Sequence, residues 1–181
     1  MVNVPSLEVL ESKNEVCCPV MLSSSFPQLK TLRVRTLVVE SNDAKQEFPN
    51  WFPNLQVLEV FGIYAQNWIA SEDNRPTVSF PNLVELICND GGFQCPRFNV
   101  PFLQKLRYHL MKSMYHANEM KWISSLVSLK ELHLKFYRAD ALLDPESIEC
   151  LSKCTQLESL QLTYPNELTP MMQSAAFCQK L

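Results

Sequence analysis

Phe80-Pro81-Asn82-Leu83-Val84-Glu85-Leu86 states in seven residues a pattern that most of the chain repeats: apolar, proline, any residue, Leu, two of any kind, Leu. The same block stands at Val4-Pro5-Ser6-Leu7-Glu8-Val9-Leu10, Phe26-Pro27-Gln28-Leu29-Lys30-Thr31-Leu32, Phe52-Pro53-Asn54-Leu55-Gln56-Val57-Leu58 and Val100-Pro101-Phe102-Leu103-Gln104-Lys105-Leu106. Two further copies lack the proline: Leu126-Val127-Ser128-Leu129-Lys130-Glu131-Leu132 and Cys154-Thr155-Gln156-Leu157-Glu158-Ser159-Leu160. Leu-x-x-Leu pairs arise by chance in any leucine-rich chain. Five of the 12 prolines at one position of the block do not.

The first Leu of each block falls at 7, 29, 55, 83, 103, 129 and 157, giving spacings of 22, 26, 28, 20, 26 and 28 residues. After the second Leu the pattern continues as x-apolar, closing at Val34, Val60, Cys88, Tyr108, Leu134 and Leu162. That alternation is the period of a half-buried strand. The proline suits a strand's start, where its missing N–H costs no ladder bond. Each block therefore predicts one short strand. Neighbouring strands pair in parallel, and the leucines point inward. One block cannot bury its own apolar face, so stability must come from stacking.

The segments between blocks return the chain along the other side. Asp144 can cap a helix with Pro145 at its first position and Glu146 in its first turn, and Ile148, Leu151 and Leu157 follow inward. Asn118-Glu119 can open a helix through Trp122, Ile123 and Leu126, and Thr169-Pro170 a third with Met172, Ala175 and Phe177 at helical spacing. Ser71-Glu72-Asp73-Asn74-Arg75-Pro76 and Asn89-Asp90-Gly91-Gly92 have loop chemistry. Cys178-Gln179-Lys180-Leu181 matches Cys154-Thr155-Gln156-Leu157, and neither end carries a recognisable cap. The expectation is a single domain over 1–181, of about seven repeats, that forms part of a longer array.

A net charge of -3 gives no global basic signal for nucleic acid or a membrane surface. No apolar run is long enough to span a bilayer. The N-terminus lacks a basic segment and carries Glu8 and Glu11, unlike a secretory signal. No Asn-x-Ser/Thr sequon is present. The seven cysteines (Cys17, Cys18, Cys88, Cys95, Cys150, Cys154 and Cys178) are odd in number and form no disulfide framework. Cys88 and Cys154 occupy positions that elsewhere hold apolar residues and read as small buried hydrophobes. A reducing, intracellular setting follows, cytoplasmic or nuclear.

Chemistry-bearing motifs are few. Cys150 and Cys154 share a helical face and could form half a zinc site, but no second Cys/His pair lies nearby in sequence; they read as core thiols. Cys17-Cys18 read as loop residues. His109, His116 and His133 could in principle serve a thiol, whereas the cysteines mostly fall inward. The three glycines, Gly62, Gly91 and Gly92, make no phosphate loop. Asp140 and Asp144 read as solvated or capping carboxylates. Trp51, Trp68 and Trp122 lie in the return segments and read as packing between blocks. No catalytic, cofactor or metal site is expected.

The strand surface is the candidate site. Residues between the inward positions fall into outward columns. The central column runs Arg33, Glu59, Ile87, Arg107, His133 and Gln161; the next runs Arg35, Phe61, Asn89, His109, Lys135 and Thr163; the preceding one runs Thr31, Val57, Glu85, Lys105, Glu131 and Ser159. Expected partner-binding residues are Arg33, Arg35, Glu59, Phe61, Lys105, Arg107, His109, Glu131, His133, Lys135 and Gln161. Lys105, Arg107, His109, His133 and Lys135 against Glu131 read as a local basic patch. An acidic or phosphorylated partner, or an anionic ligand, would meet Arg107 and Lys135 there.

These blocks resemble leucine-rich repeat proteins over essentially the whole chain, and every spacing lies in the 20–29-residue range of that class. The resemblance implies a curved α/β solenoid, with a parallel sheet on the concave face and helices or irregular segments on the convex side. The commonest pattern of the class places Asn or Cys three residues after the last strand Leu; here those positions hold Leu37, Ile63, Gly91, Met111, Tyr137 and Pro165. Without that Asn ladder, and with uneven lengths, the chain is similar to intracellular families. Ser128-Leu129-Lys130-Glu131-Leu132-His133-Leu134 and Leu151-Ser152-Lys153-Cys154-Thr155-Gln156-Leu157-Glu158-Ser159-Leu160 are similar to repeats of plant F-box proteins. Phe98-Asn99-Val100-Pro101-Phe102-Leu103-Gln104-Lys105-Leu106 is similar to them too. That resemblance implies substrate recognition for a ubiquitin ligase. Phe-Pro-x-Leu-x-x-Leu-x-Val blocks are also common in plant intracellular immune receptors, where the repeats sense ligands and autoinhibit. Neither an F-box nor a nucleotide-binding module lies in these residues. On either reading the chain is non-catalytic and binds a protein on its concave face, with no cofactor, metal, nucleic acid or membrane.

Overall fold

The computed structural model describes residues 6–17, 26–40, 52–66, 77–89, 97–110, 116–136 and 145–164. Every block contributes one strand to a seven-stranded parallel sheet: β1 (Val9–Cys17), β2 (Thr31–Glu40), β3 (Val57–Gln66), β5 (Glu85–Cys88), β7 (Lys105–Leu110), β8 (Glu131–Phe136) and β9 (Ser159–Thr163). The strands pair in block order. The second leucines stand opposite one another from strand to strand, through Leu10, Leu32, Leu58, Leu86, Leu106, Leu132 and Leu160. The chain is thus a solenoid whose pairing register is the one set by the block.

Four apolar positions per block face the core. In the Pro81 block these are Phe80, Leu83, Leu86 and Cys88, all fully buried. At roughly 1.5–3 kcal/mol for each large apolar side chain, one interior block supplies more hydrophobic stabilisation than any surface contact described below. The first and last blocks differ: Leu7, Leu10, Leu157, Leu160 and Leu162 are only partly buried. Each has a neighbouring block on one side only among the described residues.

The proline does a different job from the one expected. It lies four residues ahead of the strand, at the second position of a four-residue turn. The turn closes from Leu29 N–H to the Phe26 carbonyl at 3.1 Å, and likewise from Leu55 to Phe52, Leu83 to Phe80 and Leu103 to Val100. That position uses no N–H and suits proline's fixed φ. Leu129 N–H to the Leu126 carbonyl and Leu157 N–H to the Cys154 carbonyl close the same turn in the two proline-free copies. There the second residue does need its N–H: Val127 donates to the Ser125 carbonyl at 3.0 Å and Thr155 to the Lys153 carbonyl at 2.9 Å. Proline at either position would remove that bond.

The turns also clip block to block. The carbonyl of the residue between the turn and the strand accepts two N–H groups from the next block: Glu8 from Lys30 and Thr31, Lys30 from Gln56 and Val57, Gln56 from Val84 and Glu85, and so on to Lys130 from Glu158 and Ser159. Side chains add a second set. Asn54 Nδ2 donates to the Pro27 carbonyl at 2.9 Å, Asn82 Nδ2 to the Pro53 carbonyl at 2.7 Å and Ser128 Oγ to the Pro101 carbonyl at 3.3 Å. Three of the turns thus carry a side-chain tie to the block before, in a chain whose sequence has no Asn ladder after the strand.

The return segments change character along the array. Before the Pro81 and Pro101 blocks they include β4 (Thr77–Ser79) and β6 (Arg97–Asn99), paired in parallel as a second small sheet that the loop-like composition there did not signal. Phe80 N–H donates to the Asn99 carbonyl at 3.0 Å, so the Phe98 carbonyl points away from β4; it accepts the Trp122 indole N–H at 3.0 Å. Trp122 belongs to α1 (His116–Ser124), which takes over where the small sheet ends. Its ring lies 5.8 Å from Phe98 and 5.7 Å from Tyr108, packing between blocks as expected. The α1 helix starts two residues before the expected Asn118-Glu119 opening. Glu119 is buried and accepts a hydrogen bond from Tyr108 Oη at 3.3 Å. The next return includes α2 (Pro145–Ser152), joined to α1 by the ion pair Lys121–Glu146. Met120, Ile123, Cys150, Leu151 and Cys154 fill the space between helices and sheet.

Asp140, Asp144, Ser71–Pro76, Asp90–Gly92, Trp51, Trp68, Cys18, Cys95, the helix expected from Thr169 and the terminal match at Cys178 lie outside the described residues, as do the side chains of Cys17 and His116. No helix among the described residues is long and apolar enough to cross a membrane.

Candidate functional site: the open face of the sheet

One face of the sheet packs on the core and the other is open. Strand alternation sends Leu, Val, Cys88 and Tyr108 inward and leaves the intervening residues outward. The expected columns through Arg33 and through Thr31 are rows of paired neighbours, and the one through Arg35 is paired from His109 through Lys135 to Thr163. The central row is in continuous register, from Glu11 through Arg33, Glu59, Ile87, Arg107 and His133 to Gln161.

Two shallow depressions lie on this face among the described residues. The first, about 690 Å³, is lined by Glu11, Ser12, Lys13, Arg33, Val34, Arg35, Glu59, Phe61 and Asn89. The second, about 310 Å³, is lined by Glu85, Ile87, Lys105, Leu106, Arg107, Glu131, Leu132, His133, Ser159 and Gln161. Of the expected residues, Arg33, Arg35, Glu59 and Phe61 meet in the first; Lys105, Arg107, Glu131, His133 and Gln161 meet in the second. His109 and Lys135 line neither. Sequence reasoning passed over Glu11 and Lys13 because its columns began at the second block. Ile87 and Glu85 were placed in their columns but not counted as binding residues.

The charges are arranged unevenly. Arg33 is held between two carboxylates: Nη1 donates to Glu11 Oε1, and Nε lies 3.3 Å from Glu59 Oε2. Its pKa rises, first through the hydrogen bond to Glu11 and then through the Glu11 charge. Lys105 pairs with Glu131 at 2.9 Å, and that hydrogen bond raises its pKa too. Arg35 and Arg107 are exposed and pair with no carboxylate among the described residues.

The basic patch expected around Arg107 is smaller than its column suggested. Glu131 compensates Lys105. His109 is only 8% exposed, set opposite Lys135 and beside the Asn89 backbone. Burial, then the Lys135 charge, push its pKa below the ordinary 6.5. Burial, then Arg107 and Lys135, push His133 down as well. Both shifts favour the neutral imidazole. His109 is not an exposed contact residue, because the strand direction places it outward while its neighbours cover it. Of the patch cations, Arg107 is exposed and pairs with no carboxylate among the described residues. His133 Nε2 lies 2.9 Å from Thr163 Oγ1, and its Nδ1 is buried without a hydrogen-bond partner.

The thiols are elsewhere. Cys88, Cys150 and Cys154 are free and buried. Cys88 points to the core side of the sheet, opposite the face of His109 and His133. Burial, then the neighbouring Cys150, push the Cys154 thiol up in pKa, and its Sγ lies 3.8 Å from the Ile123 carbonyl. Among the described residues no three His, Cys, Asp or Glu side chains gather to hold a metal ion. No protein-family model, curated protein or solved structure matches the chain.

Proposed function

We propose that the chain is a leucine-rich repeat domain of the α/β solenoid type and a non-catalytic module that recognises a protein partner on the concave, open face of its sheet. The observation that carries this reading is the pairing pattern on that face. Arg33 and Lys105 are committed to carboxylates of the neighbouring strands, whereas Arg35 and Arg107 stand exposed beside Phe61 and Ile87. An unpaired arginine next to exposed apolar surface suits the anchor of a protein interface. The residue types resembling F-box repeats make substrate recruitment for a ubiquitin ligase the preferred cellular role. The ligand-sensing repeats of an intracellular immune receptor are the alternative. A reducing compartment fits the free thiols.

The test is a set of surface variants in an affinity capture with quantified prey. Ile87→Glu and Arg107→Glu on the open face should each reduce captured partner at least tenfold, by like-charge and desolvation costs. Glu149→Lys and Lys153→Glu, on the helical side, should leave it unchanged. The opposite ranking would refute the open face as the binding surface.

A further inference from the structure

Four outward residues form a path across the strands: Arg35 on β2, Phe61 on β3, Ile87 on β5 and Arg107 on β7. The two outer ones are cations without a carboxylate partner among the described residues; the two inner ones are apolar, with Phe61 51% exposed. The path links the two depressions. It also passes Arg33 and Lys105, whose carboxylate partners keep them from competing for a ligand.

The spacing follows from sheet geometry. Arg33 and Arg107 share a row, and Arg35 is two residues further along its strand. Three strand steps of ~4.8 Å and two residues of ~3.3 Å put Arg35 and Arg107 roughly 16 Å apart at Cα. Two residues of an extended peptide at i and i+4 lie about 13 Å apart and point to the same side, as does the residue midway between them. Long arginine side chains span the remainder.

Resting on the open-face reading above, we infer that this path reads an extended segment of the form acid-x-apolar-x-acid, laid across the strands. The two carboxylates meet Arg35 and Arg107, and the central apolar side chain rests on Phe61 and Ile87. Glu85, on β5 beside the path, repels a carboxylate placed at the middle position, so the order of residues matters as well as their number.

Synthetic labelled peptides test this directly on the full chain. A peptide centred on Glu-Ser-Leu-Ser-Glu should bind at least about tenfold more tightly than the same composition ordered Glu-Glu-Leu-Ser-Ser. Arg35→Ala and Arg107→Ala should each weaken the first peptide about tenfold and the second much less, with circular dichroism unchanged. Equal binding of the two peptides, still weakened by Ile87→Glu, would overturn the spacing rule and leave the open face as the binding surface. Binding untouched by Arg35→Ala, Arg107→Ala and Ile87→Glu would overturn both.

Discussion

Asn82 shows how one side chain can tie a block to its predecessor. Its amide reaches the Pro53 carbonyl at 2.7 Å, and Asn54 makes the same bond to Pro27. Both asparagines are exposed, so the net worth of each bond is modest, about 0.5–1.5 kcal/mol. Asn82→Ala should lower the unfolding free energy by that amount, read as a lower urea midpoint at an unchanged m-value. A loss several times larger would mean that the turn, and not only one bond, depends on it. His109 and His133 couple stability to acid. Both have folded pKa values below the ordinary 6.5, so in the window below that value the unfolded chain binds more protons than the folded one. Stability is then highest above about pH 6.5 and falls as pH drops through it. Thermal melts between pH 7.5 and 5.5 should show the fall, and His109→Gln should make it shallower. An identical slope in the variant would exclude His109 as a source.

Among the described residues, the second turn position holds proline in four blocks and a residue whose N–H is hydrogen-bonded in two. Where a helix or 3₁₀-like turn delivers the chain into the block, the N–H of Val127 or Thr155 is already in use. Val127 is 74% exposed, so replacing it removes little packing. Val127→Pro should therefore destabilise by about 1 kcal/mol or more, through the lost hydrogen bond and the restriction placed on Leu126. A neutral or stabilising Val127→Pro would contradict this account of the turn. The strands and their register were legible beforehand because two leucines and an alternating third position mark each one. The small sheet of β4 and β6 was not, since three residues are too few to show a period. The start of α1 was misjudged because Asn118-Glu119 looks like a cap, whereas Glu119 is drawn inward to Tyr108. The columns of the open face were legible as directions. Which cations are already paired, and that His109 is covered, depend on neighbours 20 or more residues away in sequence, and no pattern within one block reports them.

Across the molecule, burial grades from the middle of the stack to its described ends. Leu83 is sealed between blocks, while Leu157, at the same block position, is only partly buried. Leu83→Ala should cost about 2–5 kcal/mol in unfolding free energy, and Leu157→Ala clearly less. Equal costs would mean that the last block is as well covered as the centre. The core face is continuous and apolar; the open face carries the unpaired arginines and the exposed Phe61. That division of labour between the two faces is what the functional proposal rests on. Hydroxyl-radical footprinting of the chain, free and with a captured partner, tests it most directly. The account predicts protection of Phe61, Ile87 and His133 on binding, with α1 and α2 unchanged. Protection confined to Trp122, Lys121 and the helical side, with Phe61 and Ile87 as reactive as in the free chain, would contradict it.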